Sequence, residues 1–73
     1  MGGWRVVVSL EDDTGLRCAD LFVRADGSFG FEEYRRDPEA GRWLVSGGYS
    51  ALRFGSLGEA RDAAVRRFAW LGG

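Results

Sequence analysis

Residues 56–71 read SLGEARDAAVRRFAWL, and the rest of the chain takes its meaning from them. Ser56 followed by Glu59 is a capping box, in which the serine hydroxyl accepts from the Glu59 backbone N–H and the Glu59 carboxylate reaches back to the Ser56 N–H. Behind that cap, Leu57, Ala60, Ala64, Phe68 and Leu71 recur at helical spacing, and Val65 widens the stripe. Glu59, Asp62 and Arg66 fall on the opposite side. Asp62 precedes Arg66 by one helical turn in the favourable order, and Arg66-Arg67 suits the negative pole of the helix. Gly72-Gly73 ends it. The spacing predicts an amphipathic helix whose narrow, alanine-lined stripe lies close against a flat surface. The segments before it must supply that surface.

Those segments read as a sheet. Trp4 to Leu10 alternates, with Trp4, Val6, Val8 and Leu10 on one face and Arg5, Val7 and Ser9 on the other. Glu11-Asp12-Asp13-Thr14-Gly15 is a polar connection ending in glycine. Leu16 to Arg24 is the next strand, with Ala19, Leu21 and Val23 inward. A bulge is expected near Cys18, because Leu16, Cys18 and Phe22 form a competing apolar set that Asp20 interrupts. Asp26-Gly27 marks a hairpin. Ser28 to Arg36 places Phe29 and Phe31 on one face, and Tyr34, out of phase, predicts a bulge or strong twist at Glu32-Glu33. Asp37-Pro38-Glu39-Ala40-Gly41 fits a type I turn closed by a left-handed glycine. Arg42 to Ser46 is a fourth strand, with Trp43 and Val45 on one side and Leu44 on the other. Gly47-Gly48 breaks it, and Tyr49 to Phe54 is either a short fifth strand or an extended lead into the helix. The fold class is α+β: an antiparallel β-meander of four to five strands with one C-terminal amphipathic helix packed on one face.

The chain of 73 residues is read as a single domain, 1–73. A domain of this length buries only ~60% of its unfolded surface. It has a lone cysteine and no histidine, so neither a disulfide within the chain nor a histidine-bearing zinc site supports the core. The core rests on aromatics, 14% of the residues, and self-association is a second source of stability at this size. Hydrophobic residues at 45% and charged residues at 29% describe an ordered domain. The net charge of −1 argues against non-specific nucleic-acid binding by overall field. All basic residues are arginine, which fits codon bias in a GC-rich genome. Met1-Gly2-Gly3-Trp4 has no basic region followed by an apolar run, so no signal peptide is expected. The apolar run Val6 to Val8 is too short to span a membrane. A lone cysteine suits a reducing compartment, and a cytoplasmic location is the expectation.

Nothing in the sequence assembles a catalytic set, and the chain is read as no enzyme, with no cofactor and no metal. Asp13-Thr14-Gly15 matches the aspartic-protease triplet, but Glu11 and Asp12 before it mark an exposed acidic turn. That acidic run lacks the alternating oxygen donors of a calcium loop. Cys18 has no histidine to activate it. Glu32 and Glu33 are adjacent on a strand and point to opposite faces. The glycines show no phosphate-loop spacing.

The candidate binding site is the third hairpin. Phe31, Tyr34, Arg35, Arg36, Arg42 and Trp43 put aromatics and arginines within one two-stranded unit, a make-up that can stack bases and track phosphates. The competing arrangement buries those aromatics under the helix and pairs the arginines with Glu32, Glu33 and Glu39 in solvent. Trp70 lies off the helical stripe, near Ala63, and is a candidate interface residue. Arg61, at the stripe's edge, is expected to snorkel.

The stretch Glu33-Tyr34, Asp37-Pro38-Glu39 and Gly41 resembles the strand–turn–strand segment of positive-cofactor-like transcriptional coactivators. Those are small dimeric single-stranded-DNA binders in which a β-meander precedes a helix. The resemblance spans fewer than about ten residues, mostly turn chemistry, and the chain carries none of the lysines of such a binder. Two functions are therefore carried forward. The first is a small non-enzymatic protein-interaction or structural module, with a protein partner or self-association and no membrane. The alternative is a weak single-stranded nucleic-acid binder using the 28–46 hairpin.

Overall fold

The computed structural model describes residues 3–72; Met1, Gly2 and Gly73, and with them part of the signal-peptide reading and of the Gly72-Gly73 stop, lie outside the described residues. Strands β1 (Trp4–Glu11), β2 (Arg17–Arg24), β3 (Phe29–Arg36) and β4 (Trp43–Val45) form one antiparallel sheet in the order β1-β2-β3-β4. A 3-10 turn, Tyr49–Ala51, leads to helices α1 (Leu57–Arg67) and α2 (Ala69–Gly72). The fold is α+β with four strands. Residues 49–54 are not a fifth strand: after the 3-10 turn the chain touches the sheet through the single bridge between Phe29 and Phe54.

The turns close as their residues demand. Asp12 caps the first, accepting from the Thr14 hydroxyl at 2.9 Å and the Arg17 N–H at 3.3 Å. The Asp13-Thr14-Gly15 triplet is part of this turn, where Asp13 is exposed. Asp26 caps the second through the Ser28 N–H at 2.9 Å and hydroxyl at 2.7 Å, and it forms an ion pair with Arg53 at 2.6 Å. In the third, Gly41 at φ 71° donates to the Asp37 carbonyl at 2.7 Å.

Two strand readings are corrected. The β2–β3 register runs without a shift from Arg17 opposite Arg35 to Val23 opposite Phe29, so there is no bulge at Glu32-Glu33. Tyr34 pairs with Cys18 on the face away from the helix, which accounts for its phase. The bulge lies in β1, between Val6 and Val8, rather than near Cys18. It splits the expected apolar face of β1: Trp4 and Val6 stand opposite Arg24 and Phe22, whereas Val8 and Leu10 stand opposite Leu21 and Ala19. One extra residue reverses the alternation, as a register slip would.

The inner face of the sheet holds the core, where Ala19, Leu21 and Phe31 pack against Ala60, Ala63, Ala64 and Phe68. Ser56 caps α1, accepting from the Glu59 N–H at 3.2 Å. The alanines let α1 approach β2 and β3 closely. The helix does not run unbroken to Leu71. Phe68 is extended, at φ −113° and ψ 101°, and separates α1 from α2. That break drives the Phe68 ring edge-on against Phe31 and Tyr49, with centroids 5.7 and 5.2 Å apart. Asp62 and Arg66, both exposed, form no ion pair among the described residues. Screening by water leaves such a pair little net energy.

Glu32 and Glu33 do not face solvent as partners for the arginines. Glu32 is 2% exposed, and its carboxylate accepts from the N–H groups of Glu33, Tyr49 and Ser50 at 3.0, 3.1 and 3.0 Å. It therefore caps the start of the 3-10 turn and ties the crossover segment to β3. Glu33 accepts from the Ser46 hydroxyl at 3.0 Å and from Trp70 Nε1 at 3.1 Å.

Candidate interaction face

The molecule measures 37 × 30 × 17 Å, thin enough for one sheet and one layer of helix. The helices pack on the inner face, and the outer face meets residues 49–52 on its β3 side, where Ser50 and Leu52 accept from Arg24 while Tyr49 and Ser50 donate to Glu32. Along the strands it carries Trp4, Val6, Ser9 and Glu11 from β1, Cys18, Asp20, Phe22 and Arg24 from β2, Gly30, Glu32, Tyr34 and Arg36 from β3, and Trp43 and Val45 from β4. Trp4, Val6, Trp43 and Val45 are 48, 45, 39 and 62% exposed, in two pairs on the opposite edge strands β1 and β4.

Phe22 is fully buried on this outer side. Trp4 stacks on it with centroids 4.2 Å apart, the Arg24 guanidinium lies 5.0 Å from its centroid, and Gly30 opposite it leaves room for its ring. The sequence signal for this was the glycine inside β3, since an interior strand glycine marks a close approach. The stack holds Trp4 flat, with its other face toward solvent.

The six residues of the third hairpin are not brought together. Phe31 is fully buried in the core, against Tyr49, Phe54 and Phe68, and offers no ring to a ligand. Arg35 and Leu44 point to the inner face, where Arg35 stands directly opposite Arg17. Arg42 is exposed in the turn. Tyr34, Arg36 and Trp43 do share the outer face, and the Arg36 guanidinium lies 6.0 Å from the Trp43 centroid. Trp70, half-buried, stacks on Phe68 at 6.0 Å and spends its indole N–H on Glu33. It packs within the molecule rather than standing out as an interface residue.

Beside Tyr34 and Trp43 is a hollow of about 240 Å³ completed by Ser9, Glu11, Cys18 and Asp20. Ser9 Oγ donates to Asp20 Oδ1 at 2.7 Å and lies 3.3 Å from Cys18 Sγ, which is itself 3.4 Å from Asp20 Oδ1. Burial pushes the Cys18 thiol up, and the charges of Asp20 and Glu11 add to this against the Ser9 hydrogen bond. Burial likewise raises the Tyr34 phenol, with Asp20 and Glu32 contributing. The hollow is acidic. The meander also brings the first and third turns to the same end of the sheet. The carboxylates of Glu11, Asp12, Asp13, Asp37 and Glu39 thus stand at the end that carries Arg17, Arg35, Arg36 and Arg42.

Among the described residues no group of three or more His, Cys, Asp or Glu side chains is placed to hold a metal ion, and no helix is long and apolar enough to cross a membrane. Comparison with known proteins matched no family model, no curated protein and no solved structure.

Proposed function

We propose that this protein is a small non-enzymatic interaction module that docks a protein partner on the outer face of its sheet. The observation that carries the reading is the exposure of Trp4, Val6, Trp43 and Val45 together on the face opposite the helix. An aromatic held flat by a stack beneath it, as Trp4 is on Phe22, loses little further freedom on contact, which favours it as an anchor. What supports binding over catalysis is the chemistry of the hollow. Its thiol is disfavoured as a thiolate by burial and by neighbouring carboxylates, the reverse of an activated nucleophile.

The test is site-specific photo-crosslinking in living cells, with a photoreactive residue placed at Val45 or Trp43 and, as control, at Arg61 on the exposed side of α1. Discrete adducts from the sheet positions and none from Arg61 are expected. Absence of adducts at Val45 and Trp43, or equal labelling from Arg61, would overturn the docking reading.

The single-stranded nucleic-acid reading retains one observation, the Arg36–Trp43 contact beside Tyr34. Phe31 is lost from the stacking platform, and Glu11 and Asp20 face the same hollow. The geometry favours the protein partner.

A further inference from the structure

Resting on that docking reading, we propose that the occupant of the outer face is a second copy of this chain. The two sheets pack face to face about a two-fold axis that lies parallel to the sheet and runs across its strands. The charge layout of the face is the first argument. Trp4 and Arg24 stand opposite each other near one end of β1 and β2, and Glu11 and Cys18 near the other, with Asp20 between Cys18 and Phe22. Arg24 donates to Ser28 Oγ at 3.3 Å, the Phe29 carbonyl at 3.2 Å, the Leu52 carbonyl at 3.1 Å and the Ser50 carbonyl, all neutral acceptors. Among the described residues no carboxylate forms an ion pair with it, and Glu11 and Asp20 have no cationic partner either. Rotation about this axis lays Arg24 of each copy over the end of the other that carries Glu11 and Asp20, with Arg36 beside Trp43 at that same end, so the contact is made twice, as an isologous interface requires.

Shape and size agree with this. The exposed face of the Trp4 ring is delivered toward the partner's acidic end, where the hollow of about 240 Å³ opens beside Tyr34 and Trp43. Three strands of eight residues and β4 of three, at their usual spacing and rise, span roughly 400 Å² in plan. A face of this size lies below the ~800 Å² per partner of a standard stable interface and suits a weak, reversible dimer. Pairing through the free edge of β1 is the competing dimer. The bulge between Val6 and Val8 interrupts the ladder that such pairing would extend.

Sedimentation equilibrium on the purified full chain tests the proposal, over a concentration range wide enough to resolve a monomer–dimer equilibrium. A reversible dimer is expected. Val45→Glu and Glu11→Arg, at exposed positions, should each weaken it at least about tenfold, a loss of the order seen when an apolar contact or close charge pair of an interface is removed. Arg61→Glu should leave it unchanged, and near-ultraviolet circular dichroism confirms that each variant is folded. A chain that stays monomeric throughout overturns the proposal. So does a dimer indifferent to both Val45→Glu and Glu11→Arg, or one abolished by Val7→Pro alone. If Val45 crosslinks only to foreign protein in cells while the pure chain is monomeric, self-association falls and the docking reading stands. If neither crosslink nor dimer appears, both fall.

Discussion

Gly30 sits opposite Phe22, and a Cβ at that position would lie 2.8 Å from the Phe22 ring atoms and 2.9 Å from Arg24 Nη2. The constraint is space alone, because Gly30 is not among the glycines at positive φ. Gly30→Ala should therefore destabilise the fold by about 1–3 kcal/mol through overpacking, read as a lower urea midpoint at unchanged slope. Asp26 gives a different residue-scale expectation. Hydrogen bonds from the Ser28 hydroxyl and N–H, with a smaller contribution from Arg53, hold its carboxyl down to about 2 against the opposing effect of burial. Because the folded state lowers this value below the ordinary ~3.9 of an unfolded chain, its contribution is complete above about pH 4 and is lost as pH falls toward 2. The urea midpoint of Asp26→Asn should then decline less than that of the parent between pH 6 and pH 2.5. Parallel decline would mean that the turn does not hold Asp26 as described.

At the scale of elements, the helix is held by a cap and by one ring. Ser56→Ala removes the acceptor for the Glu59 N–H and should cost about 1 kcal/mol. Equilibrium denaturation against the parent measures it, and an unchanged midpoint would place the start of the helix elsewhere. Phe68→Ala should be far worse, on the order of 3–5 kcal/mol, because Phe68 is buried where α1 ends and contacts Phe31, Tyr49 and Trp70. A domain of this size has roughly 5 kcal/mol or less in reserve, so the variant should lose the dispersion of its proton–nitrogen NMR spectrum. The same break that seats Phe68 also turns Trp70 toward Glu33, which links the C-terminal turn to β3. A helix unbroken to Leu71 could not place both rings in this way, since the expected stripe left Trp70 to one side.

For the whole molecule, the decisive fact is that the meander returns the first turn to the side of the third. Considered alone, the 28–46 hairpin crowds arginine at one end. In the folded chain the acidic turn at Glu11-Asp12-Asp13 comes alongside, and Asp20 lies beneath Tyr34 and Trp43. A short oligo-dT titrated at ~20 mM salt, where the Debye length exceeds 20 Å, should accordingly leave the tryptophan fluorescence of the protein nearly unchanged. Strong quenching that weakens in Arg36→Ala and fades steeply with salt would restore the nucleic-acid reading.

The order of elements, the three turns and the Ser56 cap were legible in the residues themselves, because each depends on interactions within a few positions. Asp26-Gly27, Asp37-Pro38 with Gly41, and Ser56 with Glu59 carry their geometry in local chemistry. Ala19, Leu21 and Phe31 were legible as inward for the same reason, through strict alternation along unbulged strands. The rest depended on contacts between distant segments. The bulge between Val6 and Val8 appears only when β1 must lay Val8 and Leu10 inward while Trp4 covers Phe22 outward. The break at Phe68 appears only when a cavity between Phe31 and Tyr49 exists to receive its ring. Glu32 is tolerated in a buried place only because Tyr49 and Ser50, 17 and 18 residues later, present their N–H groups to it. Which side of the third hairpin faces outward, and what charge surrounds it, was likewise decided by packing across the sheet rather than by any pattern within the hairpin.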